Sequence, residues 1–180
     1  DIEAAKNSDT IKTLQATLGT EQPLIETYFH PYVYLNEKAI KTSGKNLQEI
    51  ESIVAEKLMQ LPGVKTAVPS HMLAKGQIID NSISDTVINN YHPARSGNIY
   101  IVFEPNVFIN DFDGLTVAST HGSPWHYDRH VPVMVVGKGL KANTISRSVT
   151  PYALAPTISR KLGIRAPTGA VDELLHEVLQ

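Results

Sequence analysis

The sequence predicts a mixed α/β chain, an α+β lobe followed by a segment with the character of a larger buried sheet. Residues 32–104 run strand, helix, strand, helix, strand, the order of a ferredoxin-like βαβαβ lobe in which two helices cover one face of an antiparallel sheet. Val131 to Val136 is then a near-continuous apolar run closed by Gly137-Lys-Gly139, the pattern of a strand buried on both faces. Two helical patterns complete the chain. The organisation read from this is an N-terminal helix and connection over 1–31, the lobe over 32–110 and a C-terminal segment over 111–180.

The first element is a helix within residues 2–18, because Ile11, Leu14 and Leu18 share one face and Gly19 follows as a stop. Tyr32-Val-Tyr-Leu35 is β-prone and lies between Pro31 and the polar Asn36-Glu-Lys, so it reads as a short strand. Leu47, Ile50, Val54, Leu58 and Leu61 define the clearest helix, with Asn46 as its N-cap and Pro62-Gly63 as its terminator. Val64 to Val68 is a strand ended by Pro69, and Ser84 to Tyr91 a short helix. Asn98 to Glu104 is a strand dense in β-branched and aromatic residues. Asn110 to Gly114 is a polar turn-rich loop. Beyond the apolar run, Thr150-Pro151 opens a helix over Tyr152 to Leu162, in which Pro156 predicts a kink or a late start. Val171 to Leu179 is a last amphipathic helix, with Asp172 and Glu173 in its first turn.

Composition narrows the function classes. Of 180 residues, 42% are hydrophobic and 19% charged, the balance of a folded globular chain. A net charge of −2, from 16 basic and 18 acidic residues spread along the chain, gives no signal for nucleic acid or an anionic membrane surface. With no cysteine there is no disulfide framework and no thiolate site, so a metal ion would need nitrogen and oxygen ligands.

Seven histidines are present, and His121, His126 and His130 fall close together. Neutral imidazole is a common metal ligand, yet a lone loop histidine is more often solvated or hydrogen-bonded. His126 and His130 have the i, i+4 spacing of a helical zinc pair, but Pro124 and Pro132 flank them and predict that no helix forms there.

The string around these histidines is more informative than their spacing. Thr120-His-Gly-Ser-Pro-Trp-His-Tyr-Asp128, followed by Val131-Pro132, resembles the C-terminal signature of the alkaline phosphatase superfamily, specifically its type I phosphodiesterase/nucleotide pyrophosphatase-like bacterial phosphatases. Tyr91-His-Pro-Ala-Arg-Ser-Gly97 and Leu154-Ala-Pro-Thr157 agree in order, so the resemblance covers most of residues 28–180. It implies an alkaline-phosphatase-like sandwich, incomplete in this chain, and hydrolysis of a small phosphate ester through a phospho-Thr/Ser intermediate at two zinc ions. It also implies a periplasmic or secreted enzyme. His121 takes the role of metal ligand. Thr120, His126 and Asp128 belong to the rim of the site or to the groups that orient that ligand, with Asp128 read as a loop hydrogen-bonding residue. Gly122 permits close backbone approach, while Pro124 and Trp125 fix and cover the loop. The sequence departs from the family in having His126 before Tyr127 and Ala153 before Leu154.

The family's nucleophile, its metal-binding aspartates and its Asp-His pair have no counterpart in residues 1–120. One histidine cannot hold a catalytic zinc ion. The expectation is therefore a C-terminal fragment with no catalytic residue of its own, unable alone to hold the two zinc ions and inactive alone. Its unfilled sheet would invite self-association. The alternatives are a non-catalytic ferredoxin-like interaction or ligand-binding module, and a pseudoenzyme domain that keeps the motif for structure.

Overall fold

The computed structural model describes residues 7–78, 82–109, 111–112, 115–116, 118–171 and 173–179, the side chains of 111, 112, 115 and 116 excepted. The chain divides into two compact units, Asp1–His130 and Val131–Gln180.

The first unit is built on a four-stranded antiparallel sheet, order β1-β2-β4-β3, from β1 (Ile25–Phe29), β2 (Tyr32–Leu35), β3 (Val64–Pro69) and β4 (Ile99–Phe103). β4 lies between β2 and β3 and is antiparallel to both, so those two run parallel to each other as a split β-α-β unit. The predicted strands at 32–35, 64–68 and 98–104 are all present, and β1 adds a hairpin that the sequence reading assigned to a connection. The helices are α1 (Asp9–Thr17), α2 (Glu37–Thr42), α3 (Leu47–Leu58), α4 (Ser70–Leu73) and α5 (Ser84–Asn90). Local chemistry fixes their starts. Ser8 Oγ accepts from the Ile11 N–H at 3.4 Å, Asn36 Oδ1 from the Ala39 N–H at 3.0 Å and Asn46 Oδ1 from the Gln48 N–H at 2.9 Å. Asn36 thus caps a short helix where its polarity had suggested only the end of a strand.

The covering of the sheet differs from the ferredoxin-like expectation of two helices on one face. Ile99 and Ile101 point to a core with Val33, Val54 and Leu58, whereas Tyr100 and Val102 point to a second core with Leu73 and Val87. Helix α3 therefore packs on one face, and α4 and α5 on the other. The cause is legible in β4, where residues 99–102 are all apolar and all buried, so neither face can be left to water. Each large aliphatic side chain buried in this way contributes roughly 1.5–3 kcal/mol.

One buried group was missed by the hydrophobic pattern. Glu51, on α3, is 1% exposed and accepts from Ser70 Oγ at 2.7 Å and Asn98 Nδ2 at 3.3 Å, with His71 Nδ1 at 2.9 Å from its other oxygen. Asn98 also accepts from the Leu35 N–H at 2.8 Å, so this network joins α3, α4 and the start of β4 to the end of β2. Gly97 lies just before β4. A Cβ there would stand 2.8 Å from both the Tyr32 Cβ and the Val33 carbonyl oxygen, closer than any side chain tolerates.

The expected loop at 110–114 is partly outside the described residues; Asp111–Phe112 (β5) and Leu115–Thr116 (β6) pair as a small antiparallel ladder. Contrary to expectation, His126–Arg129 forms a single helical turn, α6, which the prolines at 124 and 132 bracket rather than prevent.

In the second unit, the buried strand expected at Val131–Val136 does not form. This run has no strand pairing, and Met134 and Val136 are 85% and 98% exposed. A strand of this kind needs neighbours on both edges and a layer on each face, and the described residues of the unit supply neither. The helix at 152–162 starts late, as a 3₁₀ turn over Pro151–Ala153 that passes into α7 (Leu154–Leu162), ended by Gly163 at φ 67°. The last helix is shorter than predicted, α8 covering only His176–Leu179. Its earlier start is prevented because the Leu175 N–H is committed to Thr157 Oγ1 at 2.8 Å, while that hydroxyl donates to the Ala153 carbonyl at 2.7 Å.

Candidate functional site

His121 lies on the loop over residues 119–125, at the end of the first unit, and its side chain is exposed. The loop is fixed to the sheet lobe at its far side. Trp125 packs against the second core, and its indole Nε1 donates to the Phe103 carbonyl at the end of β4, 2.9 Å away. Two residues later the Tyr127 hydroxyl accepts from the Asn106 N–H at 2.9 Å. Within the loop, the Ser123 N–H donates to Asp128 Oδ2 at 2.9 Å. Gly122 has φ 103°, a conformation that side-chain-bearing residues rarely adopt, so glycine here serves backbone geometry.

The loop and the β1–β2 turn enclose a pocket lined by His30, Phe103, Val107, His121, Pro124 and Asp128 among others. His30, which the sequence reading did not single out, occupies the turn of the hairpin, its ring stacked on Phe103 at a centroid distance of 6.4 Å and an interplanar angle of 11°. Its Nδ1 lies 2.8 Å from the Tyr28 hydroxyl. Burial holds the His30 imidazole below its ordinary pKa, opposed by the Gly122 carbonyl and Asp128, with His121 adding to the lowering. Burial also holds the Tyr28 hydroxyl above its ordinary value, with Tyr100 adding to the effect. The Asp128 carboxyl is lowered, first by Ser123, whose backbone N–H it accepts, and then by the two histidines.

The structure thus brings His121 and Asp128 together with His30 in one electrostatic neighbourhood. His126 is not part of it, because its ring stacks on that of His130 at 4.9 Å, both exposed. Thr120 is exposed, with its hydroxyl 3.4 Å from the His121 carbonyl. Among the described residues no three His, Asp or Glu side chains converge as a metal site. The donor set available around His121 is nitrogen and oxygen, which suits zinc, and it is partial. No linear pattern could have revealed His30, since the fold alone carries it to the motif.

A split β-α-β lobe whose last strand anchors a histidine-bearing loop is the architecture to be matched. No family model matches the chain. Among curated proteins, it is 28% identical to a calcium-transporting ATPase of Myroides odoratus, over 87% of this chain and 28% of that protein. It is 26% identical to alkaline phosphatase PhoV of Synechococcus elongatus, over 86% of this chain and 27% of that protein. It is 29% identical to alkaline phosphatase PafA of Elizabethkingia meningoseptica, over 82% of this chain and 26% of that protein. The crystal structure of wild-type PafA superposes with a TM-score of 0.79 at 25% identity, covering 99% of this chain and 33% of that one. In sequence and in fold the chain is thus similar, over most of its length, to a part of the alkaline phosphatases. The chain spans little more than a quarter of the length of the curated relatives it matches.

Proposed function

We propose that this chain forms part of a zinc-dependent phosphate ester hydrolase and that His121 is one of its metal ligands. The observation that carries this reading is an exposed imidazole on a loop tied to a rigid sheet by Trp125 and Tyr127, in a chain that aligns with alkaline phosphatases over most of its length. A ligand must be held in fixed geometry by elements that do not move with it, and β4 and the turn after it supply that support. Zinc, when bound, supplies a Lewis acid that polarises the phosphoryl oxygens. The residues of this chain contribute orientation. Asp128 holds the loop through the Ser123 N–H, and His30 backs Gly122, leaving His121 turned outward.

The remaining ligands and the nucleophile are assigned to parts of the relatives that this chain does not span. The second unit supports that assignment, because Val131, Met134, Val136, Ile158, Leu162 and Ile164 are all more than half exposed, an apolar surface suited to a larger hydrolase core. By the same reading the 180 residues alone do not turn over substrate, and the whole enzyme acts outside the cytoplasm, as the family resemblance implies. Monoester and diester substrates, including nucleotide pyrophosphates, are the classes to compare. The test is hydrolysis of p-nitrophenyl phosphate and its bis-ester by the full-length protein with added zinc. Activity that His121→Ala abolishes supports the assignment; unchanged turnover in that variant refutes it.

A further inference from the structure

We propose that Tyr28 and His30 are positioning residues for the metal-ligand loop, a hydrogen-bonded relay from the β1–β2 hairpin to the backbone of Gly122 that sets the direction of His121. This rests on the assignment of His121 as a ligand and extends it to residues far away in sequence.

Three observations build the relay. The Tyr28 hydroxyl and His30 Nδ1 are 2.8 Å apart. The opposite edge of the ring faces the loop, with His30 Nε2 3.6 Å from the point where a side chain on Gly122 would begin. The ring plane is fixed by its stacking on Phe103, whose own carbonyl holds Trp125. Two of the loop's anchors therefore meet at Phe103.

The protonation pattern follows from the partners. Tyr28 and His30 are both neutral and share one hydrogen across their 2.8 Å contact; the relay has the phenol donate to Nδ1, which leaves the hydrogen of the ring on Nε2. That N–H faces the backbone of Gly122, the residue next to His121 in the chain, and the relay has it donate to the Gly122 carbonyl. With φ 103° at Gly122 the backbone turns sharply there, and the donor on its carbonyl opposes rotation of that peptide unit. Residues that orient a metal ligand in this way typically change affinity or activity 10- to 100-fold when removed.

The test compares full-length proteins carrying His30→Ala, His30→Asn, His30→Gln and Tyr28→Phe with wild type and His121→Ala. Gln places an amide N–H near the Nε2 position, whereas Asn places one near Nδ1 and cannot reach Gly122. The expected result is a loss of about tenfold or more in zinc affinity and in kcat/KM for His30→Ala and His30→Asn, rescue by His30→Gln, and a smaller loss for Tyr28→Phe. Equal losses in the Asn and Gln variants would show that the ring matters only for packing on Phe103 and would overturn the relay, as would zinc affinity unchanged in His30→Ala. Wild-type protein without zinc-dependent turnover, or turnover indifferent to His121→Ala, would instead overturn the assignment on which the relay rests.

Discussion

The two units of the chain treat their apolar residues in opposite ways. In the first, the strand at 99–103 is shielded on both faces, and Val54, Leu58, Val87 and Ile99 are fully buried. In the second, an equally apolar run at 131–136 is largely exposed, and the best-buried groups of α7 include Thr157 and Ser159 while Ile158 and Leu162 face water. Hydrophobic periodicity reports what a segment can bury, and only a partner decides whether it does. The first unit contains its partners. The second presents a surface that the proposed hydrolase core would cover.

This contrast can be broken most forcefully by truncating each side. Leu58→Ala should destabilise the 180-residue chain by about 2–5 kcal/mol in urea unfolding, through lost burial and the cavity left behind. Val136→Ala in the same chain should stay within about 0.5 kcal/mol, since that side chain is 98% exposed. In the full-length protein the valine should become costly to truncate, and a neutral result there would show that the run is not covered.

Next in size is the buried Glu51 network of the first unit. Glu51→Ala leaves Ser70, His71 and Asn98 without their shared acceptor, and a loss of about 2–4 kcal/mol is expected by thermal or urea unfolding. Trp125→Phe keeps the ring but removes the donor to the Phe103 carbonyl, for about 1 kcal/mol and a looser loop by hydrogen exchange around residues 119–125. The second unit offers only a surface contact to compare. Arg147 and Glu177 form a bidentate pair at 2.6 and 2.9 Å, which holds the Glu177 carboxyl at about 2 against an ordinary 4.5. Its folded pKa is depressed, so the pair's contribution is present above 4.5 and fades as pH falls toward 2. Arg147→Ala should return the carboxyl titration, followed by carbon-detected NMR, toward 4.5 with little change in stability at neutral pH.

What the sequence disclosed follows the same division. Helix α3 was readable because its cap, its periodic face and its Pro-Gly stop are all local, and β4 because five consecutive residues favour a strand. The Thr-His-Gly loop was readable as a motif. Tertiary circumstance decided the rest. The edge strand β1 has a polar, exposed middle that dilutes its pattern, Glu51 is buried by partners from other elements, and the shortened α8 reflects one hydroxyl on α7. His30 was invisible for a further reason, since nothing in the hairpin's sequence points to the loop it meets.

The assignment of His121 is open to direct structural observation. Anomalous scattering at the zinc edge, collected on crystals of the full-length protein, should place a metal ion at about 2.0–2.1 Å from a ring nitrogen of His121, with that loop still anchored on Phe103. A fully occupied metal centre with His121 turned away from it, or zinc bound only at His126 and His130, would contradict the assignment.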